Sequence, residues 1–288
     1  MDLDRFLESD LVKKPFCVLF GHPVAHSMSP LMHNTAAKQL GIRLTYTAID
    51  LPILDSVKIT RLLNEEHFLG ANITIPHKAA IIKFVDNLEA VAEDIGAVNT
   101  IYRNDYRIIG SNTDVYGFSV PLDEYIDSID GRDAIVFGTG GASRAVVYAL
   151  GTMGIQHIYM VSRSPHLKKT NIFTSDADVH ILSYDAWPHF IDEAGIIVNT
   201  TPLGMEPNIE KSPVRDQQVQ YLSDKICYDI VPKPMNTRFI QQAQEAGCIA
   251  INGLDMLIHQ GSKSFEIWTG KEFPIEMIRN LLINQFHE

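Results

Sequence analysis

Ala134-Ile135-Val136-Phe137-Gly138-Thr139-Gly140-Gly141-Ala142-Ser143-Arg144-Ala145 passes from a short apolar run, through a cluster of small residues, into an apolar helical pattern. That order of strand, tight turn and helix brings backbone N–H groups at a helix start to one point and suits a pyrophosphate. Gly138 permits the turn and Gly140 the close approach, with Gly141 and Ala142 in the same cradle. Ser143 fills the third glycine position with a side chain small enough to let helix lie against strand. The stretch opens a βαβ unit and sets the fold class: α/β, with a Rossmann-like dinucleotide-binding domain.

Moving outward, the next strand, Ile158-Tyr159-Met160-Val161, ends in Ser162-Arg163-Ser164, where a NAD site carries an acid for the ribose hydroxyl. No Asp or Glu stands there. Two hydroxyls flanking a guanidinium suit a 2′-phosphate, so the spacing predicts NADP over NAD, with Ser162, Arg163 and Ser164 as contacts. Further strands are predicted at Ala134–Phe137, His157–Ser162, Ile196–Asn199, Lys225–Ile230 and Ile249–Asn252, a second doubly wound series. A polar, acidic bridge around Asp123–Asp133 precedes it. Before that bridge, strands are predicted at Phe16–Gly21, Leu44–Ile49, Gly70–Ile75, Val98–Arg103 and Arg107–Ser111. Helices fall between most of them, at Pro30–Leu40, Ile53–Asn64, His77–Val85 and Leu88–Asp94, which gives a first α/β layer with a mainly parallel sheet. The tail, Leu254–Glu288, reads as two helices around Gly270 that return to the first domain. The expected division is residues 1–115 with 254–288 as one domain, and 116–253 as the NADP-binding domain.

At 288 residues, 45% hydrophobic, the chain has material for two cores. A net charge of -11 argues against nucleic acid as a partner, since phosphate binding needs a basic face. The acidic start lacks a secretory pattern, and no apolar run reaches spanning length, so the expected setting is the cytoplasm, with no membrane partner. Cys17, Cys227 and Cys248 form no C-x-x-C pair and read as reduced, structural thiols. His22, His26 and His33 lack an acidic or sulfur partner by spacing and read as turn or helix-surface residues, so no metal is expected.

Asn72-Ile73-Thr74-Ile75-Pro76-His77-Lys78 carries the chemistry. Alternation puts Asn72 and Thr74 on one strand face and Ile73 and Ile75 on the packing face. Pro76 is expected to turn the chain into a helix and deliver Lys78 in its first turn, where a cation opposes the macrodipole and so asks for a reason. In Ser27-Met28-Ser29-Pro30, Ser29 reads as N-cap and Pro30 as the first helical residue; capping leaves Ser27 unexplained, and two hydroxyls at a helix start form a seat for a carboxylate. Asn99-Thr100 and Asn112-Thr113-Asp114 add polar groups near strand ends, where ligands of open α/β sheets bind.

His26-Ser27-Met28-Ser29-Pro30, Asn72 to Lys78, Gly96-Ala97-Val98-Asn99-Thr100, Asn112-Thr113-Asp114, the glycine loop, Asn199-Thr200-Thr201-Pro202-Leu203-Gly204-Met205, Asn252-Gly253-Leu254 and His259-Gln260 follow one another along the chain. As an ordered set they resemble the shikimate dehydrogenase family. The resemblance implies reversible NADPH-dependent reduction of 3-dehydroshikimate to shikimate, an N-terminal substrate domain, an NADP domain and a cleft between them. It implies that Ser27 and Ser29 hold the substrate carboxylate, that Asn72, Thr74, Asn99, Asp114 and Gln260 hold ring hydroxyls, and that Tyr228 lines the pocket. Lys78 and Asp114 form the implied catalytic pair, and Thr200 and Gly253 join the cofactor contacts. The implied partners are the small-molecule substrate and NADP, with the chain acting as a monomer or homodimer. Pro232, where relatives usually carry an aromatic, and Asp255, where a glycine is common, depart from the pattern. The rivals are a quinate/shikimate dehydrogenase using NAD, which must fit one more ring hydroxyl, and a non-catalytic NADP- or metabolite-binding module on the same fold.

Overall fold

In the computed structural model, which describes residues 1–167, 170 and 175–287, the chain divides into two compact units. Met1–Thr113 with Gln260–Gln285 form the first, and Asp114–His259 with the last residues from Phe286 form the second.

The first unit is built on strands β1 (Phe16–Gly21), β2 (Thr45–Asp50), β3 (Phe68–Ile73), β4 (Asn87–Leu88), β5 (Thr100–Asn104) and β6 (Arg107–Ser111), in the order β2-β1-β3-β5-β6-β4. Every strand runs the same way except β5, which pairs antiparallel with β3 and β6. The sheet is therefore mainly parallel. β1 is central and buried at all six positions, as its unbroken apolar run requires. One face packs Phe16, Val18, Phe20, Ile49 and Ile73 under helices α1 (Leu3–Leu7) and α3 (Ser56–Leu63). Asp55 caps α3 by accepting from the Val57 and Lys58 amides at 2.9 and 3.1 Å. The other face carries Cys17, Leu19, Tyr46 and Trp268 beside α2 (Ser29–Gln39), while α4 (Ala90–Ile95) ends at Gly96 in the left-handed region.

The second unit runs through α5 (Asp114–Ser119), α6 (Ile126–Ile129), β7 (Asp133–Phe137), α7 (Gly141–Thr152), β8 (His157–Val161), β9 (Asp178–Leu182), β10 (Ala194–Asn199), β11 (Ile226–Asp229), α8 (Arg238–Glu245) and β12 (Ile249–Ile251). Its six strands are all parallel in the order β12-β11-β10-β7-β8-β9. Chain progress reverses between β7 and β10, the switch point at which doubly wound sheets bind dinucleotides. Helices α9 (Leu254–Thr269) and α10 (Ile275–His287) complete the chain.

Four expectations are corrected. The acidic stretch read as a bridge lies inside the second unit, where Leu122 and Ile129 enter the core. The strands β4 and β9 were not foreseen, because two residues, and five with only partial burial, give no apolar alternation to detect. β3 ends at Ile73, and Ile75 is 63% exposed instead of packing. The helix expected over His77–Val85 is a short 3-10 segment, Ala80–Phe84.

Candidate active site

The reversal of β5 builds the polar end of the first unit. Because β5 runs against its neighbours, its first residue lies beside their last, and Asn72, Thr100 and Ser111 share one row across β3, β5 and β6. Asn72, only 5% exposed, accepts from the Tyr46 hydroxyl at 2.8 Å through Oδ1. Its Nδ2 faces Ser264 Oγ, Thr100 Oγ1 and the Asn99 carbonyl at 3.0, 3.1 and 3.2 Å. Asn99 Oδ1 accepts from the Thr113 amide at 2.7 Å and the Thr100 hydroxyl at 2.9 Å. Buried amides and hydroxyls satisfied in this way form a rigid polar floor. Tyr46 and Ser264 escaped the sequence reading; the one available signal was Ser264 at i+4 from Gln260 on α9, whose carbonyl accepts from the Ser264 hydroxyl at 3.0 Å.

Thr74 continues past β3, its amide donating to the Phe20 carbonyl at 2.8 Å. Gly21 lies so close that a Cβ there would stand 2.2 Å from Thr74 Cγ2, which excludes any side chain at that position. Lys78, half-buried, sits in the turn ahead of the 3-10 segment and not in a first α-helical turn; its carbonyl accepts from the Val98 amide at 2.8 Å. Lys78 therefore does not stand in the first turn of an α-helix against its macrodipole. His77 is buried and bonds through Nε2 to the Leu51 carbonyl, a fixing role for the loop. Ser29 is the first helical residue of α2, not the N-cap: Met28 holds that place with no side-chain capping bond, and Pro30 follows as the second residue. Ser27 Oγ accepts from the Ser29 amide and donates to Ser29 Oγ, both at 3.3 Å. His22 does have an acidic partner, Asp50, with its Nδ1 3.1 Å from each carboxylate oxygen, and His33 is fully buried instead of lying on the helix surface. Gln260 lies in the first unit on α9, whereas Asp114, buried, opens α5 in the second.

In the second unit β7 runs into Gly138, whose φ of 109° and whose Cβ position 2.5 Å from Thr200 Oγ1 admit only glycine. Thr200 pins this turn, its amide and hydroxyl both donating to the Phe137 carbonyl at 2.9 and 2.7 Å. Ser143 is fully buried and donates to the Gly140 carbonyl at 2.6 Å, so it leaves the first amides of α7 uncapped. A Cβ at Gly140 or Gly141 would meet nothing within 4 Å. Protein packing does not explain those glycines; uncapped amides under open space fit a phosphate group. Ser162, at the end of β8, accepts from the Ser164 amide at 3.2 Å, and Arg163 between them is exposed. Gly253 is explained by packing, since a Cβ there would lie 2.4 Å from the Ile230 carbonyl oxygen.

Residues 19–101 match the family described as the shikimate dehydrogenase substrate binding domain, and residues 253–283 match the shikimate 5′-dehydrogenase C-terminal domain. A relative from Symbiobacterium thermophilum, a shikimate dehydrogenase (NADP(+)), is 38% identical over 270 residues, which cover 91% of each chain. The chain belongs to the shikimate dehydrogenase family. Among solved structures, the shikimate 5-dehydrogenase of Listeria monocytogenes in complex with shikimate and NAD is 30% identical with a TM-score of 0.84, covering 94% of this chain and 96% of that one. The shikimate 5-dehydrogenase of Thermus thermophilus in complex with NADP(H) and shikimate is 31% identical with a TM-score of 0.80, covering 94% and 99%.

Within this shikimate dehydrogenase family member, a second polar network ties the loops after β10 and β11. Asp229, fully buried, accepts from Asn199 Nδ2 and the Val231 amide at 3.0 Å each and from the Thr237 hydroxyl at 2.6 Å. Burial raises its carboxyl to about 6, against the lowering effect of the Thr237, Val231 and Asn199 bonds. Asn199 Oδ1 in turn accepts from the Thr201 amide and hydroxyl, and Thr237 caps α8. The family motif Asn199–Met205 is thus held by a carboxylate that spacing alone does not single out. Beside it Tyr228 is fully buried and stacked on Phe118 at 4.8 Å, and its hydroxyl has no hydrogen-bond partner among the described residues; burial, with the nearby Asp255, pushes this phenol well up.

Proposed function

We propose that this chain is an NADP-dependent shikimate dehydrogenase that reversibly reduces 3-dehydroshikimate to shikimate. Kinship to NADP(+) shikimate dehydrogenases over nine-tenths of both chains carries the reading. The uncapped turn at Gly140 and Gly141 and the buried polar floor of the first unit support it.

In this reading the hydroxyls of Ser27 and Ser29 turn to the substrate carboxylate, while Asn72, Thr74, Asn99, Asp114 and Gln260 take the ring hydroxyls and Tyr228 lines the pocket. The amides around Gly138, Gly140, Gly141 and Ala142 hold the pyrophosphate, Ser162, Arg163 and Ser164 hold the 2′-phosphate, and Thr200 and Gly253 shape the nicotinamide side. Bound NADPH supplies the hydride. Lys78 places a positive charge beside the oxygen on which negative charge develops and transfers a proton to it. Asp114 orients that ammonium and a neighbouring substrate hydroxyl. In the reverse direction the same lysine takes up the hydroxyl proton. The setting is the cytoplasm, and the working unit a monomer or homodimer. In support of that setting, no helix among the described residues is long and apolar enough to cross a membrane.

The test crosses shikimate and quinate with NADP and NAD and follows absorbance of the reduced nicotinamide. Shikimate with NADP is expected to give the highest kcat/KM. No reduction with any pair would favour a binding module instead. Arg163→Ala is expected to lower the NADP over NAD preference on the order of tenfold, the worth of a charge-assisted contact at an exposed site. An unchanged preference would remove Arg163 from the 2′-phosphate site.

A further inference from the structure

We propose that Asp229 is a positioning residue for the nicotinamide end of the cofactor seat, its buried carboxylate knotting together the loops that follow β10 and β11 and, through them, the turn after β12. The proposal rests on the NADP reading above and extends it to a residue with no assigned role. Strand order reverses between β7 and β10, so a dinucleotide lying across that point has one half over β7, β8 and β9 and the other over β10, β11 and β12. With the 2′-phosphate at Ser162–Ser164, after β8, the nicotinamide half falls on the loops after β10, β11 and β12.

Those loops meet at one carboxylate. Asn199, the last residue of β10, gives one Nδ2 hydrogen to Asp229 Oδ1 at 3.0 Å and the other to the Leu203 carbonyl at 3.1 Å. Asn199 Oδ1 accepts from the Thr201 amide and hydroxyl at 3.0 and 2.7 Å, and the Thr201 oxygen accepts from the Leu203 amide at 3.2 Å. The whole Asn199 side-chain amide is thus used to hold this loop on Asp229. After β11, the Val231 amide donates to the same Asp229 oxygen at 3.0 Å, and the Val231 carbonyl accepts from the Gly253 amide at 3.3 Å, past the end of β12. The Thr237 hydroxyl donates to the other Asp229 oxygen at 2.6 Å. Gly204, at φ 96°, lies so close to Thr237 that a Cβ there would stand 3.0 Å from the Thr237 Cβ. Asp229 is itself fully buried, so it reaches the cofactor only through these segments. The adenosine end is built separately. Ser162 donates its amide to the Leu182 carbonyl at 2.9 Å and accepts from the Ser164 amide at 3.2 Å, while Ser143 donates to the Gly140 carbonyl at 2.6 Å. No atom of those bonds belongs to the Asp229 knot, so the two ends of the seat are separable in energy.

Asp229→Ala is expected to raise Kd for NADP about tenfold, because loops no longer held in place must be ordered at each binding event. Kd for adenosine 2′,5′-bisphosphate, which carries the 2′-phosphate and no nicotinamide, should stay within about twofold of wild type. Isothermal titration calorimetry on the full chain at pH 7 reads both, with circular dichroism to confirm the fold. Asp229→Asn keeps an oxygen for Asn199 and Val231 and offers an N–H to the Thr237 oxygen, so it should hold both constants within about threefold of wild type. An unmoved Kd for NADP in Asp229→Ala, an equal rise for the two ligands, or binding by Asp229→Asn as weak as by Asp229→Ala would overturn the proposal. If Asp229→Ala does not accumulate folded, Asn199→Ala decides in the same way. Asn199 is also fully buried, and its loss cuts the β10 loop from Asp229, so the same split between the two ligands supports the proposal and its absence overturns it. Failure of the wild-type chain to bind NADP or the bisphosphate overturns the functional reading and this proposal with it; a wild type that binds both, beside variants that show no split, overturns the proposal alone.

Discussion

Lys78→Ala is expected to lower kcat about 10³-fold, the combined worth of a general acid and of a charge at the developing alkoxide, with KM for shikimate changed far less. The local structure makes this a clean experiment. The Lys78 backbone is held by the Val98 amide at 2.8 Å, and its side chain is only half-buried, so alanine removes the ammonium without opening a cavity. The β3–β5 register and the bonds that join Asn72 and Asn99 to the Thr100 hydroxyl are made without the Lys78 ammonium. Unfolding midpoints of variant and wild type should agree closely. Turnover near the wild-type rate would show that the proton comes from elsewhere.

Asp229 carries the second large effect, on stability. Its carboxyl titrates at about 6 in the fold and at 3.8 when unperturbed. The native state therefore holds a proton that the unfolded chain has lost between those values. This group favours the fold at low pH, and its contribution is lost as pH rises toward and through 6, a change of about 3 kcal/mol in total. No charged side chain contributes to the shift. Asp229→Asn keeps an acceptor for Asn199 and Val231 and does not titrate, so it should be more stable than wild type at pH 7 by up to about 3 kcal/mol, an advantage that vanishes near pH 4. Asp229→Ala strands the Asn199, Val231 and Thr237 donors and should be about 3 kcal/mol less stable than the Asn variant throughout. Urea unfolding at a series of pH values reads both. Parallel curves for wild type and Asp229→Asn would contradict the titration.

The second unit was the more legible in the sequence. Gly138 needs its left-handed φ and its contact with Thr200 whatever surrounds it, so the strand, turn and helix around it are local and readable. The first unit was less so. Alternation in Asn72–Ile75 correctly set Asn72 on a polar face, yet Ile75 projects to solvent because only the β1 side of the pairing continues past Ile73. The row of Asn72, Thr100 and Ser111 depends on β5 running backwards, which tertiary pairing sets. One local clue existed: Asp105 and Tyr106 make a two-residue connection with Asp105 at φ 53°, and such a link joins only antiparallel strands. Ser264, Tyr46 and Asp229 were hidden for a simpler reason. Their functional neighbours are distant in sequence, and a serine, a tyrosine or an aspartate at the end of an apolar strand has no spacing that marks it.

The most direct measurement of the central claim uses shikimate deuterated at the carbon that becomes the ketone, with NADP, followed by mass analysis of the reduced cofactor. Deuterium on C4 of the nicotinamide, with turnover slowed by a primary isotope effect that Lys78→Ala leaves in place at a much lower rate, is the expected result. Cofactor that stays oxidised, or is reduced without the label, would contradict the account.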